Sequence, residues 1–262
     1  KQRSEKRLST SMNEQDFFLR FRVFKNESPE FFDFCEMIYK NRFFVDESHP
    51  VMRALVEAKD SLVDTLYQGT TVYRARIVSP GLQYEPQDNF FILNEKEIGA
   101  PPVCNEGRAN PPYTSTLYVS DTPYCALSEV RPACNEVVAI GTGVIQSDLR
   151  YLSFIKWPSL TVNRKKTILD ILEQVFSNPV LNNREYLPTQ VITEFIRNKL
   201  QLDGIAYSSS QCTGGIDYSL FNPQAVKFQT ARPVHIRGIQ YLAESYLNGY
   251  SSLTVQKRNF SS

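Results

Sequence analysis

Short strand patterns and helical patterns follow one another in irregular order over residues 71–241, and this narrows the possible folds more than any other property of the chain. Residues 71–78 and 137–145 are rich in strand-forming side chains. Apolar residues recur at helical spacing over 163–177 and again after Pro188. A doubly wound fold needs strands and helices in regular alternation, so this order predicts an α+β fold instead.

Two further helices are expected before this core. Ser28 is suited to cap a helix whose first turn contains Pro29, and a second helix begins near Pro50. We interpret both as a cap on the core and not as a separate catalytic unit. The sequence is therefore divided into an N-terminal helical extension, a catalytic core and a C-terminal tail, with the bounds 1–68, 69–241 and 242–262.

Charge and hydropathy exclude several classes of partner. The chain has 262 residues and a formal net charge of +1, which gives no overall electrostatic reason to expect nucleic acid. No stretch approaches the roughly 18–20 consecutive apolar residues that a membrane span needs. We therefore expect neither nucleic acid nor a membrane as a partner.

The cysteines and histidines are few and scattered. There are five cysteines without any C-x-x-C spacing, which predicts free thiols in a reducing cytoplasm. A zinc site would also draw on histidine, and the chain has two, His49 and His235. No metal site is expected.

Arg74 and Arg76 are the first candidate binding residues. At positions i and i+2 of a strand they point the same way, roughly 7 Å apart. Guanidinium groups bind phosphate oxygens in a bidentate manner, so such a pair can hold a diphosphate. The alternative interpretation is a solvated strand face with two ordinary charges.

A second candidate lies in the segment 106–112. Its glycine and two prolines predict a shaped loop, and this loop presents Arg108 and Asn110. A rigid loop of this kind is suited to contact a ligand. By itself the segment equally fits an ordinary surface loop.

Glu129 is placed near the end of a helix that begins at Asp121-Thr122-Pro123. The negative end of the helix dipole disfavours a carboxylate there, which indicates a task such as stabilising positive charge on a ligand. The alternative is an ion pair with Arg131 or another surface cation.

Three serines, 208–210, end the strand that begins at Gly204, and Gly214 and Gly215 follow. Such a turn presents hydroxyl and backbone N–H groups to an anion, although a plain polar turn has the same composition. No G-x-S-x-G motif is present and histidine is scarce, so a Ser-His-Asp triad is not expected.

Taken together and in order, these segments resemble the RES domain family, which is named for its Arg, Glu and Ser. The resemblance spans roughly residues 70–230. It depends on Tyr73-Arg74, Gly107-Arg108-Ala109-Asn110-Pro111, Leu117-Tyr118-Val119-Ser120, Ala126-Leu127-Ser128-Glu129-Val130, Asp203-Gly204-Ile205-Ala206-Tyr207 with Ser209, and Tyr218-Ser219-Leu220-Phe221. Residues 186–190 and 194–197 are similar to a helical segment of the longer members.

The resemblance implies a fold and an activity. RES proteins resemble ADP-ribosyltransferases, with split, mostly antiparallel β-sheets that form a cleft for NAD⁺. Characterised relatives are mostly toxins of bacterial toxin–antitoxin pairs, which deplete NAD⁺ by phosphorolysis or hydrolysis or transfer ADP-ribose to a protein. The implied partners are NAD⁺ as substrate, inorganic phosphate, and an antitoxin or regulatory protein; no metal is implied.

The resemblance also implies roles for individual residues. Glu129 would stabilise the oxocarbenium-like transition state at the ribose. Arg74 and Arg108 would clamp the diphosphate, and Ser209 would bind a phosphate or position the acceptor. Tyr118 or Tyr73 would stack on nicotinamide. The expected binding set is completed by Asn110, Arg76, Ser208 and Ser210.

Two departures from the family pattern leave other hypotheses open. Ser208 stands where the family often has proline, and Gln211 where it often has a basic residue. The second departure favours a non-enzymatic nucleotide binder as one alternative. Another alternative is a helical ribonuclease, because Arg42 and His49 have R-x6-H spacing.

Overall fold

The computed structural model describes residues 21–41, 45–79, 93–101, 104–155, 166–180, 182–229 and 231–239. Arg42, of the ribonuclease motif, and the tail 242–262 lie outside these ranges. Within them, nine strands form one sheet with helices packed against it. No helix in these ranges combines the length and hydrophobicity that crossing a bilayer requires.

Three helices begin the described chain: α1 (Phe24–Glu27), α2 (Pro29–Lys40) and α3 (Pro50–Leu62). Proline is well suited to the first turn of α2 and α3, because the N–H groups of that turn have no acceptor within the helix and the missing N–H of proline costs no hydrogen bond. Ser28 occupies the expected cap position of α2, but its side chain makes no capping hydrogen bond. The cap of α3 is His49, whose Nδ1 accepts a hydrogen bond from the backbone N–H of Val51.

The N-terminal segment is continuous with the core. Strand β1 (Val63–Leu66) pairs antiparallel with β5 (Leu149–Ser153), and so belongs to the sheet. Helices α2 and α3 share an apolar core with α6 (Ile168–Ser177) and α7 (Leu187–Asn198). The expected boundary at residue 68 therefore does not separate two hydrophobic cores.

The sheet is mixed but mostly antiparallel, which confirms the expected α+β class. The remaining strands are β2 (Thr71–Ser79), β3 (Leu117–Ser120), β4 (Val137–Ile145), β6 (Gly204–Ser208), β7 (Ile216–Leu220), β8 (Val226–Phe228) and β9 (Arg232–His235). Their order is β1-β5-β6-β7-β3-β2-β4-β8, and β9 also pairs with β4. Among these pairs β5 and β6 run parallel and the others antiparallel.

The sheet is nearly divided between β2 and β3. These two strands pair at one position, Tyr73 with Ser120. By contrast, β2 pairs with β4 over almost its whole length. Residues of both strands next to this position line a cavity, which is described below.

The other helices are α4 (Glu95–Ile98), α5 (Pro123–Glu129), α6, α7 and a 3₁₀ turn (Asn183–Tyr186). Helix α4 lies in a stretch expected to be loop, and it forms because Asn94 and Glu97 make a reciprocal capping box. The helix expected over 163–177 begins at Ile168, after its cap Thr167. Its first expected residues, 163–165, lie outside the described ranges.

Candidate active site

Helix α5 is held against the sheet so that its last residue, Glu129, faces the cleft. The hydroxyl of Thr122 accepts a hydrogen bond from the backbone N–H of Cys125 at 3.2 Å and starts the helix. Ala126 is buried against Ala75 of β2 and Val138 of β4. Small side chains at this contact let the helix approach the strands closely.

The serine turn after β6 meets Glu129 directly. Ser209 Oγ donates a hydrogen bond of 2.6 Å to Glu129 Oε1 and accepts one of 3.2 Å from the N–H of Gln211. Ser210 Oγ instead accepts a bond from the Gln211 side chain, and Ser208 is the last residue of β6. Of the three serines, Ser209 therefore has the clearest connection to Glu129.

A disulfide joins the same two elements. Cys125 on α5 is bonded to Cys212 in the serine turn. The prediction that all cysteines are free thiols is wrong for this pair, while Cys35, Cys104 and Cys134 are free. Gly215 is required beside the bond, because a Cβ at this position would collide with Cys125 Sγ.

Arg74 lies in the gap between β2 and β3. Its Nη1 donates to the backbone carbonyl of Tyr118 at 3.4 Å, and its Nε is buried without a hydrogen bond to any described residue. Burial, followed by the nearby charge of Arg76, lowers the pKa of Arg74 to about 10. The guanidinium is still cationic at neutral pH and its Nε lacks an acceptor, so it is suited to bind an anion.

Arg76 does not join Arg74 in the cleft. Its Nη1 donates to the backbone carbonyl of Glu97 on α4, and it is absent from the walls of both cavities described below. Arg74 and Arg76 are therefore not brought together at either cavity, and their joint binding of a diphosphate stays a prediction. The competing contact comes from α4, which the sequence pattern did not reveal.

The loop that carries Arg108 is fixed by Tyr118 and Asn110. The Tyr118 hydroxyl donates to Asn110 Oδ1 at 2.6 Å and accepts from the N–H of Ala109 at 3.0 Å. The Asn110 side chain is 1% exposed, and its amide donates to two backbone carbonyls. Asn110 thus shapes the loop and has no polar atom left for a ligand. Gln190 on α7 anchors the same loop by donating to the Gly107 carbonyl at 3.0 Å.

Arg108 and Arg131 supply positive charge on one side of the cleft. The Arg108 guanidinium lies 5.0 Å from the centre of the Tyr207 ring and donates to the carbonyl of Asn178 at 2.9 Å. Arg131 follows α5 with φ 47°, a left-handed conformation that is uncommon without glycine. Sequence reasoning considered Arg131 only as an ion-pair partner of Glu129.

Two cavities adjoin at the centre of the site. One, of about 260 Å³, is lined by Tyr73, Arg74 and Ser120, and the other, of about 400 Å³, by Arg108, Arg131 and Ser210. Both are lined in addition by Tyr118, Glu129, Tyr207 and Asp217. Tyr118 and Tyr73 thus both line the cleft, although the hydroxyl of Tyr118 is already engaged.

Asp217 is the residue that sequence reasoning missed. It lies on β7, is 5% exposed, and accepts a hydrogen bond of 2.6 Å from Ser120 Oγ on β3. Burial, followed by the negative charge of Glu129, raises its pKa to about 7. The signal for Asp217 in the sequence was a charged residue within a strand whose other residues are mostly buried.

His49 lies away from this cleft. It is buried between the N-terminal helices, where its Nε2 lies 3.3 Å from Asp33 and its ring packs on Phe34. These contacts explain His49 as a helix cap and give no support to a ribonuclease. Within the described ranges, no group of three or more His, Cys, Asp or Glu side chains is arranged to hold a metal ion.

The sequence of this chain matches the model of one known protein family. The model of the RES domain matches residues 71–240, and no curated protein matches the chain. Among solved structures, the crystal structure of the M. tuberculosis MbcT–MbcA toxin–antitoxin complex contains a chain with 15% sequence identity and a TM-score of 0.39. That match covers 71% of this chain and 94% of the other. Because the family model spans well over half of the sequence, from β2 through β9, this chain belongs to the RES domain family.

Proposed function

We propose that this protein cleaves the nicotinamide–ribose bond of NAD⁺, releasing nicotinamide and passing ADP-ribose to an acceptor. The observation that carries the proposal is the hydrogen bond between Ser209 and Glu129 in a cleft lined by Arg74 and Arg108. A carboxylate surrounded by arginines suits a substrate whose reacting centre becomes cationic while its diphosphate is anionic. Membership of the RES family supports the same substrate.

The proposed chemistry needs little from the protein at the leaving group. Nicotinamide is bound to the ribose as a cation, and it leaves as a neutral molecule that keeps the electron pair of the broken bond. Positive charge then develops at the ribose carbon, as it does in glycoside cleavage. The Glu129 carboxylate stabilises that charge, and the hydrogen bond from Ser209 holds the carboxylate in place.

Arginines line both cavities and are assigned to the diphosphate. Arg74 lines the smaller cavity, and Arg108 and Arg131 line the larger one. Guanidinium groups bind phosphate oxygens through paired N–H donors. Tyr73 and Tyr118 line the smaller cavity, and we assign them to stacking on the nicotinamide ring.

The acceptor defines the class of enzyme. Transfer to inorganic phosphate makes the protein an NAD⁺ phosphorylase, and transfer to water makes it an NAD⁺ glycohydrolase. The alternative function is an ADP-ribosyltransferase that modifies a protein side chain. In each case NAD⁺ depletion or target modification fits a toxin that is neutralised by an antitoxin, which is the role that the family resemblance implies.

The test is incubation of the full chain with NAD⁺, with and without inorganic phosphate, while nicotinamide release and the ADP-ribose product are measured. Glu129→Gln and Arg74→Ala should lose nicotinamide release. Glu57→Gln, an exposed glutamate on α3, is the matched control and should behave as the unmodified protein. Intact NAD⁺ under every condition, including with candidate protein targets, would refute the proposal.

A further inference from the structure

The carboxyl group of Asp217 is only half satisfied. Oδ1 accepts the hydrogen bond from Ser120, whereas Oδ2 is buried and makes no hydrogen bond of normal geometry with a described residue; Glu129 and Ser209 lie close enough to the carboxyl group to shift its pKa. Buried polar atoms in folded proteins nearly always have a partner, so an orphaned oxygen calls for an explanation. Because Asp217 lines both cavities together with Glu129, a ligand in the cleft lies next to its side chain, and a small movement of that side chain brings Oδ2 to the ligand.

The surroundings of Asp217 favour a role in proton transfer near neutral pH. Its pKa is raised by burial and by Glu129, and lowered by the hydrogen bond from Ser120. Burial raises the pKa of Tyr118 and of Tyr207 above their ordinary values, so both phenols stay neutral while Asp217 titrates. Besides Asp217, the titratable and charged groups that line these cavities are Glu129, Tyr73, Tyr118, Tyr186, Tyr207, Arg74, Arg108 and Arg131.

We propose that Asp217 is the general base of the site and that it activates water as the acceptor of ADP-ribose. The inference rests on the proposed function and narrows it to NAD⁺ hydrolysis. The site then contains two carboxyl groups with different tasks, as glycoside-cleaving enzymes do. Glu129 stabilises the ribose cation, and Asp217 Oδ2 receives a proton from the attacking water.

The step balances as follows. The bond between the ribose carbon and nicotinamide breaks, and its electron pair stays on the ring nitrogen. The water oxygen forms a new bond to that carbon and gives one proton to Asp217 Oδ2. The products are nicotinamide, ADP-ribose and protonated Asp217, which returns its proton to solvent before the next turnover.

The interaction of the two carboxyl groups favours ionisation of Asp217 at the stage when the ribose cation forms. In the empty site the negative charge of Glu129 opposes ionisation of Asp217. Positive charge at the ribose in the transition state compensates Glu129, which eases that opposition. A base whose pKa lies near the working pH is the most effective kind, and a positioned base contributes roughly 10²–10⁴-fold to a rate.

Asp217→Asn separates proton removal from other roles. The amide keeps the size of the side chain and an oxygen that can accept from Ser120, but it cannot take up a proton. Water must lose a proton when it attacks, whereas azide has none to lose. We expect Asp217→Asn to hydrolyse NAD⁺ about 10²-fold more slowly or worse, and to form ADP-ribosyl azide within about threefold of the unmodified rate.

A second variant tests the same base through its neighbour. Ser120→Ala removes a hydrogen bond that lowers the pKa of Asp217. The rising limb of kcat/KM against pH for hydrolysis should therefore move to higher pH, while the azide reaction shows no such limb. A loss of stability alone would lower the rate at every pH and leave the limb in place.

The outcomes distinguish this inference from the proposed function. Equal losses with water and azide in Asp217→Asn, or hydrolysis at the unmodified rate, would show that Asp217 is not the base and leave NAD⁺ cleavage standing. Failure of the unmodified protein to release nicotinamide with water, phosphate, azide or candidate protein targets would overturn both. Thermal melting of Asp217→Asn and Ser120→Ala shows that each variant is folded at the assay temperature.

Discussion

Ser209 Oγ and Glu129 Oε1 lie 2.6 Å apart, although 80 positions separate the two residues in the chain. The contact brings the end of α5 and the turn after β6 to one point in the cleft. It also selects Ser209 from three consecutive serines, because Ser210 bonds to the neighbouring Gln211 instead.

The first prediction concerns this contact. Ser209→Ala should lower kcat for nicotinamide release by about 10- to 100-fold, because the Glu129 carboxylate loses the donor that orients it. Ser128→Ala is the matched control, since its hydroxyl donates to a carbonyl within α5 and lines neither cavity. An unchanged kcat in Ser209→Ala would remove Ser209 from the mechanism.

Arg74 should act mainly through binding. Arg74→Ala is expected to lower kcat/KM for NAD⁺ by about 10²-fold, mostly through KM, because a buried cation whose Nε has no acceptor meets the diphosphate. Arg74→Lys should recover part of the lost kcat/KM, since lysine keeps the positive charge but not the paired N–H donors of the guanidinium group. Arg150→Ala, on an exposed face of β5, is the control. A change in kcat with an unchanged KM would place Arg74 at the reacting centre instead.

The Tyr118 hydroxyl should hold the Arg108 loop in place. Tyr118→Phe removes both of its hydrogen bonds, to Asn110 and from Ala109. We expect the free energy of unfolding to fall by about 1–2 kcal/mol and KM for NAD⁺ to rise. Tyr113→Phe is the control, because Tyr113 is 83% exposed. Denaturant unfolding and initial-rate kinetics measure the two effects, and an unaltered KM would show that the loop keeps its shape without the hydroxyl.

The disulfide between Cys125 and Cys212 should stabilise both the fold and the site. Its sequence separation of 87 residues means that replacing both cysteines by serine should lower the free energy of unfolding on the order of 4 kcal/mol, if closure of the unfolded chain dominates. Nicotinamide release should also decrease, because α5 and the serine turn are no longer tied together. Cys134→Ser, at an exposed free cysteine, is the control. Equal activity with and without a reductant would show that the bond does not hold the site together.

Asp217 should make stability depend on pH. Its pKa is raised above the unfolded value of 3.8, so its contribution to stability is complete below about pH 4 and is lost as pH rises through about 7. The melting temperature of Asp217→Asn relative to the unmodified protein should therefore increase from pH 5 to pH 8. Thermal melting across this range measures the difference, and a constant difference would contradict the assigned shift.

The sequence was most informative where a signal is local. Strand β4 was predicted with its observed bounds, since six of its nine residues are β-branched. Helix α5 was predicted from a capping threonine and a proline. Helix α4 was missed although its capping box can be read from Asn94 and Glu97, because the surrounding prolines and glycines indicated a loop.

Contacts between distant segments were not predictable in the same way. The pairing of Cys125 with Cys212 depends on how α5 packs on β2 and β4, and no local pattern encodes that distance. Arg76 was assigned to the cleft because strand alternation places it beside Arg74, yet a carbonyl of α4 is its actual acceptor. Alternation fixes the face of a strand, but it does not reveal what covers that face.

By itself, the sequence determined the α+β class, the family and the segments that carry Arg74, Arg108, Glu129 and Ser209, because each of these depends on local propensity or on motifs in order. Only the tertiary structure decided that Ser209 is the serine at Glu129, that Asn110 shapes a loop, and that Asp217 lies in the cleft. Hydrogen bonding and burial act between residues that are close in space, and proximity in space is set by packing of the whole sheet.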